Sequence, residues 1–321
     1  LKSELIGSIT RAIEKAWAES GAWGDFVETM RQVLSLADES EYCDALSRWL
    51  PLPGLCCQAA GGNADSARSV AAAWACLQAA AHAMDQVEDG DPLDGWLRGL
   101  EAGEVINAAN GLVFTAALIL QDLHRDERAR QAAGDICSDF YRSLLRMASG
   151  QHRDLTCEAP DLQFWMEIAE AKSGAFFRLA CRSGARLGTE DRARIEAYGE
   201  YGHHVGLLLQ LRDDLADMRP GLLEGKSPAA LRRSLAVAYA FDVLPGPQRE
   251  RLSRALDELG MEAMAPTRLV EILDQSGAGL YLRMEIQRMH RAGLEALQRA
   301  APAGAAGDQL VALLDQLSAI Q

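Results

Sequence analysis

The sequence predicts an all-α protein, and three observations carry that reading. Apolar residues recur at spacings of three and four along nearly the whole chain. No stretch alternates with the period of two that a half-buried strand requires. Ala, Leu, Arg, Glu and Gln dominate, while β-branched residues are few, which favours helix over sheet. Predicted breaks fall at Leu50–Gly54, Gly61–Asp65, Gly90–Gly95, Cys157–Asp161, Gly188–Thr189, Pro220–Pro228, Pro245–Pro247, Pro266 and Pro302, mostly at Pro or Gly. About ten helices lie between them. With no Ser/Gly linker, low-complexity tract or internal repeat, residues 1–321 read as one helical domain.

Composition narrows the function. Forty-nine per cent of the 321 residues are apolar, enough for a sizeable core. The net charge of −14 argues against nucleic acid and against anionic membrane surfaces. An anionic substrate then requires local cations or metal ions. The 7 cysteines include no C-x-x-C pair and are odd in number. That leaves zinc and a disulfide framework unsupported and points to reduced thiols in the cytoplasm. The chain opens on Leu1, as expected of a trimmed piece, and its charged, helix-periodic start is unlike a signal peptide. The apolar run Leu112–Leu120 is far shorter than the ~20 residues of a membrane span, so none is expected.

Two helices carry candidate chemistry. On the predicted helix Ser66–Asp89, the polar residues Gln78, His82, Asp85 and Asp89 follow at steps of four, three and four and share one face. Asp85 and Asp89 sit about 6 Å apart along the axis, where two carboxylates repel unless a cation intervenes. On the predicted helix Asp191–Met218, Gly206, Gln210, Asp213 and Asp217 form a second stripe on a leucine-rich rod. Either stripe alone reads most simply as a solvated acidic face. Together, both continuing onto Gln, His or Gly, they predict a polar cavity whose carboxylates hold Mg²⁺. Counter-charges for a phosphate group are available in Lys172, within AEAKSGAFF, and Lys226, within EGKSP, although a loop lysine such as Lys226 is more often simply solvated.

The segments DQVED, GQHRDL, KSGAFF, GLLLQLRDDLAD and EGKSP, in this order, resemble the trans-prenyl diphosphate synthases. These are also called polyprenyl synthetases, within the type I isoprenoid synthases. The resemblance spans about residues 45 to 240. It implies an all-α bundle of long helices around a deep central cavity (the isoprenoid synthase type I fold), with two Asp-rich motifs whose Mg²⁺ ions hold the diphosphate of an allylic substrate. By position, Asp85 and Asp89 match the outer residues of the first motif, and Gln86 replaces its second Asp. Asp213, Asp214 and Asp217 match the second motif, with Asp213 the expected direct ligand. Gln210 matches a Gln beside the reacting cation. Lys172 and Lys226 match diphosphate-binding lysines, and Gln151 matches a cavity-lining Gln. The resemblance also implies a homodimer.

Two stretches depart from the family. Where the isopentenyl diphosphate grip G-G-K-R-x-R-P is usual, the chain reads Ser47-Arg48-Trp49-Leu50-Pro51. Where R-R-G-x-P-T-x-H is usual, it reads Gly90-Asp91-Pro92-Leu93-Asp94-Gly95-Trp96. Each lost charge-assisted contact costs about 1.5–3 kcal/mol, so the acceptor side is eroded while the metal side is kept. That asymmetry makes a terpene-synthase-like cyclase the preferred expectation. The alternatives are head-to-tail prenyl transfer with isopentenyl diphosphate held by residues such as Arg48 and Arg98, transfer to an unusual acceptor, or a non-catalytic regulatory subunit. A cyclase needs apolar and aromatic walls. Trp74, Phe114, Phe176 and Phe177 are candidates, though each reads more simply as plain core. Trp74 would form a floor beneath the small residues Ala80 and Ala81. His82 is a candidate terminal base or an orienting partner of Asp85.

Overall fold

The computed structural model describes residues 2–36, 48–90, 92–93, 95–127, 129–157, 161–218, 231–260 and 266–319. Among these residues there are helices and turns and no strand. The helices are α1 (Lys2–Ser20), α2 (Gly24–Leu34), α3 (Leu52–Ala59), α4 (Arg68–Glu88), α5 (Ala102–Gln121), α6 (Arg130–Thr156) and α7 (Leu162–Ala169). A π-helical turn, Glu170–Gly174, leads into α8 (Ala175–Arg186). Then follow α9 (Arg192–Asp217), α10 (Leu235–Val243), α11 (Gly246–Gly260), α12 (Pro266–Ser276), α13 (Ala278–Ala300) and α14 (Gly304–Ser318). The expected helices Ser66–Asp89 and Asp191–Met218 correspond to α4 and α9, each trimmed at its ends.

Local chemistry sets the boundaries. Pro51 precedes α3, where its missing N–H costs nothing. Glu101 and Glu104 form a reciprocal capping box at the start of α5. The Asp161 carboxylate accepts the Phe164 N–H at 2.7 Å and caps α7, and the Ser234 hydroxyl accepts from Val237 at the start of α10. Gly90, with φ of 72°, ends α4 in the left-handed conformation that favours glycine.

The chain divides into two compact units assembled from interleaved segments. The first comprises Leu1–Arg142, Leu179–Gly199 and Arg299–Leu310; the second comprises Ser143–Arg178, Glu200–Gln298 and Val311–Gln321.

In the first unit α4 lies along α5, with α1 and α2 against both and α3 against α4. The alanines of α4 allow this helix to be buried from Val70 to Ala80. The Trp17 indole donates to the Thr115 hydroxyl at 2.9 Å, satisfying a buried N–H. The end of α8 approaches α3 closely because Gly184 and Gly188 lack side chains. A Cβ on Gly184 would lie 2.1 Å from the Pro53 carbonyl oxygen, and one on Gly188 2.2 Å from that of Cys57. α5 is one helix that, with the turn after it, is long and apolar enough to cross a membrane by length and composition. The Leu112–Leu120 reading missed this. Half of that apolar window is buried inside the protein, as in a core helix.

In the second unit α10 packs on α7, α11 and α12, and Tyr239 stacks on Tyr281 with ring centroids 4.3 Å apart. Arg212 of α9 donates to the carbonyls of Gln316 and Leu317, which satisfies the C-terminal end of α14.

Gly184→Ala is expected to destabilise the protein by about 1–3 kcal/mol, because backbone faces the new methyl and cannot rotate away. Gly134→Ala, on the exposed face of α6 with nothing within 4 Å, is expected to be neutral or to add up to about 1 kcal/mol. Thermal or urea unfolding of the two variants beside the parent checks both signs.

Candidate active site

The residues that the sequence singles out are divided between the two units. In the first, α4 carries Gln78, His82 and Asp85 on its polar line, and Asp89 follows as its C-cap. Asp85 and Asp89 are half-buried at the end of the helix, and the Asp89 N–H donates to the Asp85 carbonyl at 2.9 Å. Gln78, one turn deeper, is 8% exposed, and its carbonyl oxygen has no hydrogen-bond donor among the described residues. His82 retains solvent access, yet the protein mass around it lowers its pKa, so the imidazole is neutral at pH 7. Gln86 turns away from the acidic line and donates to the Pro92 carbonyl at 2.9 Å. A carboxylate cannot donate that bond. The Gln in place of the family's second Asp therefore fastens the turn that follows α4.

In the second unit α9 presents Asp213 to solvent and holds Asp217 half-buried. Asp214, between them, has a structural role: it is 6% exposed and accepts the Leu235 N–H at 2.6 Å, pinning the first turn of α10. A carboxylate at a helix N-terminus is stabilised by the unpaired N–H groups there. One turn earlier, the Gln210 carbonyl oxygen accepts from the Ser173 hydroxyl at 3.1 Å. That bond depends on Gly206, where a Cβ would lie 2.2 Å from the Ser173 carbonyl oxygen.

Lys172 and Ser173 lie within the π-helical turn. Such a turn inserts an extra residue into a helix and is enriched at functional sites. Lys172 is about a quarter exposed, and it donates to the Asp154 carboxylate at 3.1 Å. The other oxygen of Asp154 lies 3.7 Å from Nε of Arg233. Sequence reasoning missed Asp154, Arg233 and Ser173. GQHRDL contained Asp154, three residues after Gln151 on the same helix, but nothing in the local spacing marked Arg233.

The other expectations divide. Gln151 is half-buried in the second unit. Phe176 is buried, edge-to-face with Phe177 at 5.5 Å. Two of the proposed walls need correction. Trp74 has no exposed surface at all and is core of the first unit, so it offers no face to a cavity; Ala80, 2% exposed, is closely similar. Phe114 is 68% exposed, projecting outward from α5. Ala81, one residue on from Ala80, is half-exposed. Lys226 lies outside the described residues, as does Ser47. Leu50 is fully buried, so a core side chain fills the position matched to the second acceptor arginine, while Arg48 is exposed.

The donor set fits Mg²⁺. Among the described residues no three carboxylate, imidazole or thiol groups cluster as a ready-made cage. Mg²⁺ does not ask for one, since it commonly takes one or two carboxylates, waters and substrate phosphates.

The model of the polyprenyl synthetase family matches residues 48–225. A short chain isoprenyl diphosphate synthase of Methanothermobacter thermautotrophicus is 26% identical over 260 residues, covering 75% of this chain and 77% of its own length. A solved geranylgeranyl pyrophosphate synthase of Corynebacterium glutamicum, complexed with isoprenyl diphosphate and magnesium, superposes with a TM-score of 0.78 at 18% identity over 99% of this chain and 98% of its own. A decaprenyl diphosphate synthase of Rhodobacter capsulatus gives the same TM-score at 16% identity, over 98% and 96%. These likenesses bear out the all-α isoprenoid synthase fold.

His203, behind the π-helical turn, supplies a pH prediction. Its Nδ1 lies 2.6 Å from where a Cβ on Gly174 would be. Burial, then the nearby Arg178, His204 and Arg146, push its pKa down to about 4 from 6.5, outweighing Glu200. The unfolded chain therefore takes up a proton near pH 6.5 that the folded protein refuses until about pH 4. Stability from this group is intact above pH 6.5 and falls as pH drops toward 4. Melting temperatures of the parent and His203→Gln across this window should converge on acidification if the variant folds with similar packing.

Proposed function

The chain belongs to the polyprenyl synthetase family, and from that premise we propose that it is a Mg²⁺-dependent enzyme that ionises an allylic prenyl diphosphate. The observation that carries this reading is the retention of both outer aspartate pairs, with Lys172 and Gln210 in family order beside the second. Asp85 and Asp89 on α4, and Asp213 and Asp217 on α9, would hold the metal. When bound, Mg²⁺ neutralises the diphosphate and makes it a better leaving group. Lys172 takes part of the negative charge, with Lys226 as the second lysine matched in the family. Gln210, its carbonyl oxygen held by the Ser173 hydroxyl, keeps a fixed amide beside the allylic cation. Asp214 acts at one remove, by fixing α10 to the helix that carries the ligands.

Two fates of the cation are favoured by different observations. Prenyl transfer to isopentenyl diphosphate is favoured by the named relatives, which are prenyl diphosphate synthases. Quenching without that acceptor, by cyclisation, is favoured by the lost acceptor cations: Leu50 buried where an arginine is usual, and no paired arginines after Asp89. In that case the neutral His82 is a candidate proton acceptor. A non-catalytic role is disfavoured because both outer aspartate pairs are kept.

Purified protein would be incubated with Mg²⁺ and geranyl, farnesyl or geranylgeranyl diphosphate, with and without isopentenyl diphosphate. Diphosphate release is expected with an allylic substrate and is expected to vanish on chelation. Asp85→Ala and Asp213→Ala should each lower turnover by about a hundredfold or more. A longer prenyl diphosphate formed only with isopentenyl diphosphate means transfer; a hydrocarbon or alcohol formed without it means quenching. Absence of turnover and of any Mg²⁺-dependent diphosphate binding would overturn the enzyme reading.

A second copy of the chain is the proposed partner. Ile106, Phe114 and Leu118 form an exposed apolar line on α5, joined by Asn110 at the same spacing. Exposed large apolar groups in a row on one helix suit a covered interface. Light scattering should show a dimer that Phe114→Glu shifts toward monomer.

A further inference from the structure

We infer that Arg233 is a diphosphate-binding residue, and that Asp154 holds it together with Lys172 as an anion subsite; this rests on the allylic diphosphate reading above. Two cations share a single carboxylate: Lys172 Nζ at 3.1 Å from one oxygen of Asp154, and Arg233 Nε at 3.7 Å from the other. The three side chains are only 16–24% exposed. Two cationic side chains and one carboxylate thus meet in a half-buried position of a chain whose net charge is −14. A cation that is partly desolvated attracts an anion more strongly than one in open solvent.

Two hydrogen bonds place this group beside the second aspartate motif. Lys172 is followed directly by Ser173, whose hydroxyl is bonded to Gln210, three residues before Asp213. Arg233 lies two residues before Leu235, whose N–H is held by Asp214. The lysine is thus tied to α9 just before the metal-binding aspartates, and the arginine from within that motif. A guanidinium presents a planar fork suited to phosphate oxygens, and its 3.7 Å separation from Asp154 is an ion pair longer than a hydrogen bond. Asp154 keeps the two cations in place without substrate and competes with the diphosphate for them.

The test is isothermal titration of the full chain with inorganic diphosphate at saturating Mg²⁺. Arg233→Gln is expected to weaken binding about tenfold or more, and Arg233→Lys to recover part of the loss. Asp154→Asn, which removes the competing charge, is expected to tighten binding severalfold, whereas a merely structural Asp154 would weaken it. Circular dichroism melts check that each variant is folded. Parent-like affinity in Arg233→Gln, or weaker binding in a folded Asp154→Asn, overturns the inference alone. No binding by the parent overturns the allylic diphosphate reading with it.

Discussion

The cluster around the second aspartate motif depends on how near two backbones can come. α9 meets the π-helical turn at Gly206, where any side chain would collide with the Ser173 carbonyl. Gly150 of α6 also packs closely, since a Cβ there would lie 2.7 Å from that of Ala171. Ala171, Lys172 and Ser173 are therefore approached from both helices by positions without side chains. Once the turn is held this tightly, the Ser173 hydroxyl reaches Gln210 and the lysine reaches Asp154 without further adjustment. The first unit uses the same device, with Gly184 and Gly188 of α8 and its following turn against α3. Interiors packed at crystal-like density transmit such constraints, because no soft layer absorbs a displaced methyl.

The all-α class was legible because 3.6-residue periodicity is repeated in almost every segment and each repetition is independent support. The two aspartate lines were legible for the same reason: α4 and α9 turn a spacing of four into a shared face. What periodicity cannot report is the identity of a tertiary partner. Trp74 and Phe114 were equally good walls on sequence grounds, yet one is sealed in the core and the other faces solvent, because the orientation of a helix about its axis follows from its neighbours. Arg233 was illegible for a related reason. It is paired across a gap of 79 residues with Asp154, and a long-range ion pair leaves no local trace.

The acidic motifs show how one residue type serves different ends. Within Asp213, Asp214 and Asp217 the outer pair retain solvent access, whereas the middle carboxylate is buried and spends its charge on a helix N-terminus. In the first motif the middle position is Gln86, whose amide donates to a backbone carbonyl. In both motifs, then, the middle residue fastens the next segment to the motif helix, by accepting in one and donating in the other. This accounts for a Gln replacing an Asp there without loss of the outer pair.

Charge balance also constrains what can occupy the site. Two aspartates one turn apart repel each other on α4's end and again on α9, and each pair favours a cation; a cation favours a diphosphate only if other positive groups take up the charge that a metal would leave. On the second unit the positive groups at hand are Lys172 and Arg233, which share Asp154. A second diphosphate would bring about two to three further negative charges, each contact with which is worth about 1.5–3 kcal/mol. Leu50 cannot supply one of those contacts from the core. An acceptor diphosphate must therefore be held with cations beyond Arg48, the one arginine of the family grip that is kept, or the acceptor must be something less charged, with the substrate's own double bond as the least charged of all.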